Sequence, residues 1–359
     1  MARALSDAAV DDAIRAHAPV AIGVSGGKDS QAAALAPFRY LDAMGHAGER
    51  LLVHADLGSV EWKDSLPTCQ RLADYLGVPL LVVSRKAGGL MERWRSRWQS
   101  SVERYEALST VALVPCWSTP KMRFCTSELK THVITAALKK RFGKQLVVNV
   151  TGIRRDESSR RARSTISDLS DDSLLLSWRP ILDWSVQDVF SSIDASGIDP
   201  HPAYRVFGMS RVSCRFCIMS NIDDLTAATA QEESHDLYRD MVDLECDSSF
   251  AFQGSRWLGD VAPHLLTEAL HERLHIAKST AVFRQKIEAA ITKDMLYVKG
   301  WPVRMLYDYE ADLLASIRCE VSALFGFNAS CLDRDSIHAR YAQLMADREH
   351  KQSAELAYV

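Results

Sequence analysis

Residues 22–35 read IGVSGGKDSQAAAL: a short apolar run, then two glycines, a lysine, an aspartate and a serine, then an alanine-rich stretch. Glycines let the backbone approach an anion closely. A helix that starts near Asp29 would direct its free N–H groups and the positive end of its dipole at that anion. The stretch therefore predicts a strand, a phosphate-binding loop and a helix.

The loop matches neither of the two commonest phosphate-binding motifs. A Walker A loop has a glycine five residues before Gly27, where Ile22 stands, and Ser or Thr after the lysine, where Asp29 stands. The dinucleotide fingerprint G-x-G-x-x-G does not fit the glycine spacing either. Because an aspartate would repel bare phosphate, its presence indicates Mg²⁺ bridging the carboxylate to a nucleoside triphosphate.

Length and charge limit the class of protein. The chain has 359 residues, which is room for about two domains. Its formal net charge of −3 excludes a basic field over the whole surface, so contact with nucleic acid would need a local patch. The apolar runs are far shorter than the roughly 20 residues of a membrane helix, and the first 18 residues lack a signal-peptide core. We therefore expect a cytoplasmic protein without membrane association.

Apolar runs and amphipathic stretches alternate over the first 150 residues. The runs PVAIGVS, RLLVHAD, VPLLVVS and KQLVVNVTG lie among helical patterns at about 6–17, 29–44 and 61–76. This alternation predicts an α/β fold with βαβ units and a doubly wound, mostly parallel, Rossmann-like sheet. Beyond residue 220 the pattern is helical, so we expect two domains, 1–220 and a mostly helical 221–359.

Two polar features follow strands of this sheet, at the edge where open α/β folds bind ligands. Asp56 ends the run RLLVHAD and is either a nucleotide residue or an ordinary capping aspartate before Gly58. The stretch 153–173 is expected to be a loop that is mobile without ligand. It holds five arginines, which suit phosphate oxygens but also fit a solvated loop: Arg154, Arg155, Arg160, Arg161 and Arg163.

Residues 93–98, RWRSRW, interleave three arginines with Trp94 and Trp98. The pattern is compatible with part of a nucleic-acid surface, where aromatic rings stack on bases. It fits equally well a helix whose tryptophans face the core and whose arginines are solvated.

The cysteines fall into two pairs and four single residues. Cys214 and Cys217 form a C-x2-C pair, and Cys116 and Cys125 form a C-x8-C pair. Four thiolates can close a site around Zn²⁺ or ligate a [4Fe-4S] cluster; unligated buried or redox thiols are the alternative. The remaining cysteines are interpreted as buried small hydrophobes: Cys69, Cys246, Cys319 and Cys331.

The segment SGGKDS resembles the SGGxDS pyrophosphatase loop of the adenine nucleotide α-hydrolase superfamily, whose members cleave ATP between the α and β phosphates. The segments TGIRRDESSRRA, RPILDWSVQDVF and HPAY…GMSRVSCRFC follow in order. Together they resemble the phosphoadenosine phosphosulfate reductase family over about residues 18–250. That family includes sulfonucleotide reductases and the ATP pyrophosphatases of DNA phosphorothioation.

The resemblance implies roles for particular residues. ATP and Mg²⁺ would be held by residues of the loop and of the strand ends: Ser25, Gly26, Gly27, Asp29, Ser30, Asp56 and Gly152. Catalysis would use Lys28, Asp29, Arg154 and Arg155. The resemblance favours a [4Fe-4S] cluster over zinc at Cys116, Cys125, Cys214 and Cys217.

Two departures from the sulfonucleotide reductases shape the functional hypothesis. The first cysteine pair is split by eight residues, and the tail HKQSAELAYV lacks the nucleophilic cysteine of those enzymes. We therefore expect an ATP pyrophosphatase that adenylates a substrate for sulfur incorporation, in DNA phosphorothioation or tRNA thiolation. A cysteine desulfurase would donate the sulfur, other modification-system proteins would be partners, and a homodimer is compatible. The alternatives are a thioredoxin-dependent reductase and a non-enzymatic ATP-binding partner protein.

Overall fold

The computed structural model describes residues 2–357, and six strands form one sheet in it. The strands are β1 (Val20–Val24), β2 (Arg50–Asp56), β3 (Leu80–Ser84), β4 (Val147–Val150), β5 (Ser167–Leu169) and β6 (Leu175–Trp178). Their order is β3-β2-β1-β4-β6-β5, and only the pairing of β5 with β6 is antiparallel. The predicted α/β fold with a mostly parallel sheet is confirmed.

Helices connect the strands and make up the C-terminal part of the described chain. They are α1 (Ala8–Arg15), α2 (Lys28–Ala43), α3 (Ser65–Leu76), α4 (Leu90–Glu106), α5 (Phe124–Thr126), α6 (His132–Phe142), α7 (Ser159–Ala162), α8 (Val186–Asp194), α9 (Pro202–Arg205), α10 (Ile222–Thr229), α11 (His235–Ser248), α12 (Glu268–Glu288), α13 (Asp308–Phe325) and α14 (Arg334–Ala357). The predicted helical C-terminal region is confirmed. None of the helices described is long and apolar enough to cross a membrane.

Both faces of the sheet are covered. Val20, Ile22 and Val24 of β1 pack into a large apolar cluster with side chains of α1, α2 and α8. Ala21, on the opposite face of the same strand, packs into a second cluster that includes Leu138 of α6. Alternate residues of a strand point to opposite faces, so the apolar run is buried on both sides, as parallel strands between helices require.

The residues group into two compact units. The first contains residues 1–92 and 119–238, and the second contains residues 93–118 and 239–359. The sequence predicts one boundary, between 220 and 221. The two units instead divide the chain at three places: within α4 after residue 92, after residue 118, and within α11 after residue 238. Residues 1, 358 and 359 of the predicted domain ranges lie outside the described residues.

The polar stretch 153–173 is more ordered than the loop that the sequence predicts. It contains a 3-10 turn at Arg155–Glu157, the short helix α7 and the edge strand β5. Local side chains cap these turns: Ser158 Oγ accepts from Arg161 N at 3.2 Å, and Glu157 Oε2 accepts from Arg154 N at 2.7 Å. Such short-range hydrogen bonds stabilise turns without a buried apolar face.

The tryptophans of RWRSRW face the core of the second unit. Trp94 is 1% exposed and stands edge-on to Trp117, while Trp98 packs against Phe325 and Phe327. The core-facing alternative is thus confirmed for both tryptophans.

A fully buried arginine joins three segments of the second unit. Arg318 of α13 donates to the carbonyls of Tyr105 at 2.8 Å, Glu106 at 3.1 Å, Ser330 at 2.6 Å and Cys331 at 3.1 Å. Burial lowers the pKa of Arg318. The fixed fork of a guanidinium can satisfy several carbonyls at once.

Arg318→Met is therefore expected to lower the free energy of unfolding by about 3 kcal/mol or more. The variant has a similar volume but removes the donor to Ser330 O and Cys331 O, at about 1–3 kcal/mol for each group that stays buried. Tyr105 O and Glu106 O keep the backbone N–H groups of Leu108 and Ser330 as donors. Urea unfolding followed by tryptophan fluorescence measures the change. Arg334→Met, which removes exposed ion pairs with Asp308 and Asp312, is the control at about 0–1 kcal/mol. Equal shifts for the two variants would contradict the role of Arg318.

Candidate functional site

The SGGKDS segment forms the turn between β1 and α2. Gly26 adopts a φ of +76°, and a Cβ atom there would lie 3.1 Å from Ser65 Cα. Gly27 precedes the first residue of α2 and has no side chain to cap the helix. The first-turn N–H groups have no carbonyl partner within a helix. Lys28 N donates to Tyr204 Oη instead, so the loop can offer the N–H groups of Asp29 and Ser30 to an anion. The predicted strand, loop and helix are present.

Ser30 closes the loop on itself. Its Oγ accepts from Ser25 N at 3.2 Å and donates to Gly27 O at 2.8 Å. These two hydrogen bonds hold the ends of the loop together.

This loop lies where the order of strands reverses. From β1 the chain runs to β2 and β3 on one side of the sheet, whereas β4 leads to β6 and β5 on the other. Ligands in open α/β folds bind at such switch points, outside the carboxyl ends of the strands. The segments that follow β1 and β4 form the site, and they carry Ser25–Ser30 and Gly152–Arg155.

The centre of the site is a buried cluster of charges around Asp29. Arg154 Nε lies 2.7 Å from Asp29 Oδ1, and Lys28 Nζ lies 3.2 Å from Asp29 Oδ2. Lys28 is 6% exposed and Arg154 is 4% exposed. Arg154 also pairs with Asp156 at 2.6 Å. Burial alone would lower the pKa of Arg154, but Asp29 and Asp156 outweigh it and raise the pKa.

The structure separates the arginines that the sequence grouped together. Arg154 points into the site, whereas the partly exposed Arg155 forms an ion pair with Asp183 and donates to Ser164 O at 3.2 Å. Arg161 forms an ion pair with Glu157. Of these three arginines, Arg154 is the one that forms an ion pair with the SGGKDS loop, through Asp29.

Asp56 makes a local contact at the end of β2. Its Oδ1 accepts from Gly58 N at 2.8 Å, which is the capping arrangement that the sequence allowed. The carboxylate lies at the ligand-binding edge of the sheet, so this hydrogen bond leaves a nucleotide role as a prediction.

Two aromatic residues of the site were missed by the sequence analysis. Tyr204 Oη accepts from Lys28 N at 2.9 Å, and Lys28 Nζ lies 5.1 Å from the centre of the Tyr204 ring. His201 is fully buried, its Cδ2 would lie 3.3 Å from a Cβ at Gly26, and burial lowers its pKa to about 4. The HPAY segment was the signal, but sequence spacing could not place it against the loop.

Three of the predicted cysteine ligands belong to the first unit. Cys125 lies in α5, and Cys214 and Cys217 lie between α9 and α10. Burial raises the pKa of Cys214, the charges of Cys217 and Cys125 raise it further, and Lys130 lowers it. Cys125 and Cys217 therefore both lie within electrostatic reach of Cys214.

Cys116 belongs to the second unit. It is fully buried, its Sγ lies 3.9 Å from Ser248 Oγ, and burial raises its pKa to about 12. A raised pKa disfavours the thiolate that ligates metals. Within residues 2–357 no three Cys, His, Asp or Glu side chains stand in a metal-binding arrangement. The thiol chemistry suits iron or zinc, but the predicted set Cys116, Cys125, Cys214 and Cys217 is not assembled as a ligand site.

Gly152 permits the close approach of the two segments. A Cβ atom at this position would lie 2.4 Å from Asp29 O and 2.9 Å from Ser30 N. No real Cβ contact is this short, and the atoms it would meet belong to backbone.

Gly152→Ala is therefore expected to displace the start of α2 and to lower the melting temperature by several degrees. Gly23→Ala is the matched control, because a Cβ there meets Val150 O at an ordinary 3.6 Å. Differential scanning fluorimetry compares them, and equal melting temperatures would contradict the close packing of Gly152.

Known proteins resemble this chain at several levels. An uncharacterised 37.8 kDa protein of Escherichia phage 186 is 29% identical over 244 residues, which cover 58% of this chain and 70% of that protein. Among solved structures, phosphoadenylyl-sulfate reductase from Candida auris is 11% identical with a TM-score of 0.36. That match covers 59% of this chain and 98% of the reductase.

The U34-tRNA thiolase NcsA of Methanococcus maripaludis, solved with its [4Fe-4S] cluster, is 12% identical with a TM-score of 0.37. That match covers 64% of this chain and 72% of the thiolase. NH3-dependent NAD synthetase from Campylobacter jejuni is 14% identical over 79% of this chain and 94% of the synthetase, with a TM-score of 0.30. All three TM-scores lie below 0.5, so these structures carry no information about the chemistry of this chain.

The sequence profile of the phosphoadenosine phosphosulfate reductase domain matches residues 19–219, which is more than half of the chain. The match includes the SGGKDS loop, Gly152, Arg154 and the C-x2-C pair. The chain therefore belongs to the phosphoadenosine phosphosulfate reductase domain family.

Proposed function

We propose that this protein is an ATP pyrophosphatase that cleaves ATP to AMP and pyrophosphate and thereby activates an acceptor for sulfur incorporation. The observation that carries the proposal is the position of Asp29. Its carboxylate stands at a helix N-terminus, at the switch point of the sheet, between Lys28 and Arg154. A carboxylate beside a phosphate-type cradle suits Mg²⁺–ATP, because hard divalent cations prefer oxygen ligands.

In the proposed reaction an oxygen of the acceptor attacks the α-phosphorus of ATP. A new O–P bond forms, the bond between the α-phosphorus and the bridging oxygen breaks, and pyrophosphate leaves with the bond's electron pair. A sulfur nucleophile from the donor then attacks the adenylated atom of the acceptor, and AMP leaves with the acceptor oxygen and the electron pair of the broken bond. The N–H groups of the loop and the cations Lys28 and Arg154 would counter the charge on the leaving pyrophosphate. Mg²⁺ would be held by Asp29 and would neutralise phosphate oxygens.

The acceptor and the sulfur source are proposed from the family resemblance. DNA phosphorothioation and tRNA thiolation are the settings proposed, with a cysteine desulfurase as donor and further modification-system proteins, and a homodimer, as partners. Cys125, Cys214 and Cys217 would supply thiolates for a [4Fe-4S] cluster, or less favourably for zinc. Cys116 would complete a four-thiolate set only if it gave up its buried contact with Ser248.

Lys28→Ala and Asp29→Asn are expected to reduce the formation of AMP and pyrophosphate by about 10²-fold or more, because each removes a charge next to the reacting phosphates. The assay measures both products with Mg²⁺–ATP, DNA or tRNA as acceptor, and a cysteine desulfurase with cysteine as sulfur donor. Lys86→Ala, an exposed lysine after β3, is the matched control and should keep the wild-type rate.

Two outcomes would contradict the proposal. ATP binding without AMP formation on any acceptor would favour a non-enzymatic partner protein. Sulfite release from a phosphosulfate nucleotide with reduced thioredoxin, and without ATP, would favour a reductase.

The metal content is tested by anaerobic purification with iron, sulfide and zinc analysis and an absorption spectrum. A cluster predicts a brown protein with about four irons that becomes colourless in Cys214→Ser. Cys116→Ser decides whether the fourth thiol takes part, and Cys319→Ser, an exposed cysteine, is the control. Stoichiometric zinc, or a colourless wild-type protein, would overturn the iron–sulfur proposal.

A further inference from the structure

A buried histidine in the middle of the sheet contacts two acceptors. His54 of β2 is 1% exposed and lies opposite Val24 in the register of β1 and β2. Its Nδ1 lies 3.1 Å from Val24 O, and its Nε2 lies 3.0 Å from Glu61 Oε2. A carbonyl only accepts hydrogen bonds, so Nδ1 carries a proton, and with Glu61 ionised Nε2 carries a second one.

Other groups around His54 agree with a doubly protonated ring. Cys69 Sγ of α3 lies 3.7 Å from the same Nδ1. Burial alone would lower the pKa of His54, but its hydrogen bonds to Cys69 and Glu61 and the carboxylate charge of Glu61 outweigh it and raise the pKa to about 10. His54 and Glu61 thus form a buried ion pair.

Through His54, this ion pair holds the beginning of the SGGKDS loop, called the nucleotide loop below. Val24 is the last residue of β1, and its carbonyl belongs to the same planar peptide as the N–H of Ser25. His54 donates to the Val24 oxygen of this peptide, and the Ser25 N–H of the same peptide donates to Ser30 Oγ. The first peptide of the loop is therefore held at both ends, and its N–H cannot turn while its carbonyl is fixed.

Through Glu61, the ion pair is connected to the segment with the C-x2-C cysteines. Arg215, between Cys214 and Cys217, donates its backbone N–H to Val60 O at 2.9 Å. The Arg215 side chain donates its Nε–H to Glu61 O at 2.7 Å. Since the Glu61 side chain holds His54, one short chain of hydrogen bonds runs from Val24, through His54 and Glu61, to the cysteine turn, Cys214–Cys217.

Stability alone does not account for this arrangement. A buried ion pair pays a desolvation cost, and apolar residues of similar volume are often at least as stabilising. What the pair provides is orientation: the Glu61 carboxylate holds the ring of His54, which holds the Val24 carbonyl, while the backbone carbonyl of Glu61 holds Arg215.

We propose that His54 is a positioning residue that, with Glu61, couples the nucleotide loop to the cysteine turn, so that ATP binding changes the reactivity of Cys214 and Cys217. The inference rests on the proposed ATP-binding function of the loop. Neither His54 nor Glu61 is proposed to contact ATP.

The test compares four variants in two measurements on the full-length protein freed of metal or cluster, because ligated thiols are protected from alkylation. Calorimetry gives the dissociation constant of Mg²⁺–ATP. Iodoacetamide alkylation, read by peptide mass spectrometry, gives the rates at Cys214 and Cys217 with and without Mg²⁺–ATP. In the wild type, ATP is expected to change these alkylation rates severalfold.

His54→Gln is expected to weaken ATP binding about tenfold and to abolish the effect of ATP on the thiols, because one amide cannot donate to both Val24 and Glu61. Glu61→Leu should abolish the effect on the thiols while ATP affinity stays within about threefold, since a neutral His54 can still donate to Val24. Glu61→Gln should keep both properties, because its amide can donate to a neutral His54.

His46→Gln is the matched control. His46 is another buried histidine of the first unit, with its Nε2 2.8 Å from Ala18 O, and this variant should keep both properties. Glu61 is partly exposed, so the Leu and Gln variants decide the question even if His54→Gln fails to fold.

Three outcomes have distinct meanings. A wild-type protein that binds no ATP would overturn the proposed function and this inference with it. Normal ATP binding without any change in thiol reactivity would overturn the coupling alone. The coupling would also be overturned if Glu61→Leu kept the wild-type response of the thiols.

Discussion

The buried contact between Arg154 and Asp29 is the interaction on which the site depends. It joins the segment after β4 to the segment after β1, at the point where the order of strands reverses. Charges so little exposed are costly unless they are paired. Gly152 lets the two backbones approach closely enough for the pair to form. The ion pair and the glycine therefore act together to hold the two segments in contact.

The contact between Arg154 and Asp29 also determines which charged side chains lie at the candidate site. Asp29 stands between two cations, and Gly27 supplies no capping side chain, so the loop offers N–H groups and positive charge around one carboxylate. Arg155 lies next to Arg154 in sequence but pairs with Asp183 at a partly exposed position. Neighbouring arginines thus have different environments, and the environment decides which of them can act on a phosphate.

The cysteines show what spacing alone leaves undecided. The two pairs predicted one four-thiolate site, yet Cys116 packs in the second unit against Ser248. Its C-x8-C partner, Cys125, lies in the first unit with Cys214 and Cys217. Sequence spacing within a pair does not determine which unit each cysteine joins, because that depends on where the chain passes between units.

The sequence by itself determined the α/β class, the parallel strands and the strand–loop–helix at SGGKDS, because these depend on local periodicity and on glycines followed by a helix start. It also indicated Asp29 and Arg154 as site residues. Only the tertiary structure decided that Tyr204 contacts Lys28 and that His54 links Val24 to Glu61. These contacts join residues from separate elements, and their distances follow from packing of the whole sheet rather than from any local pattern.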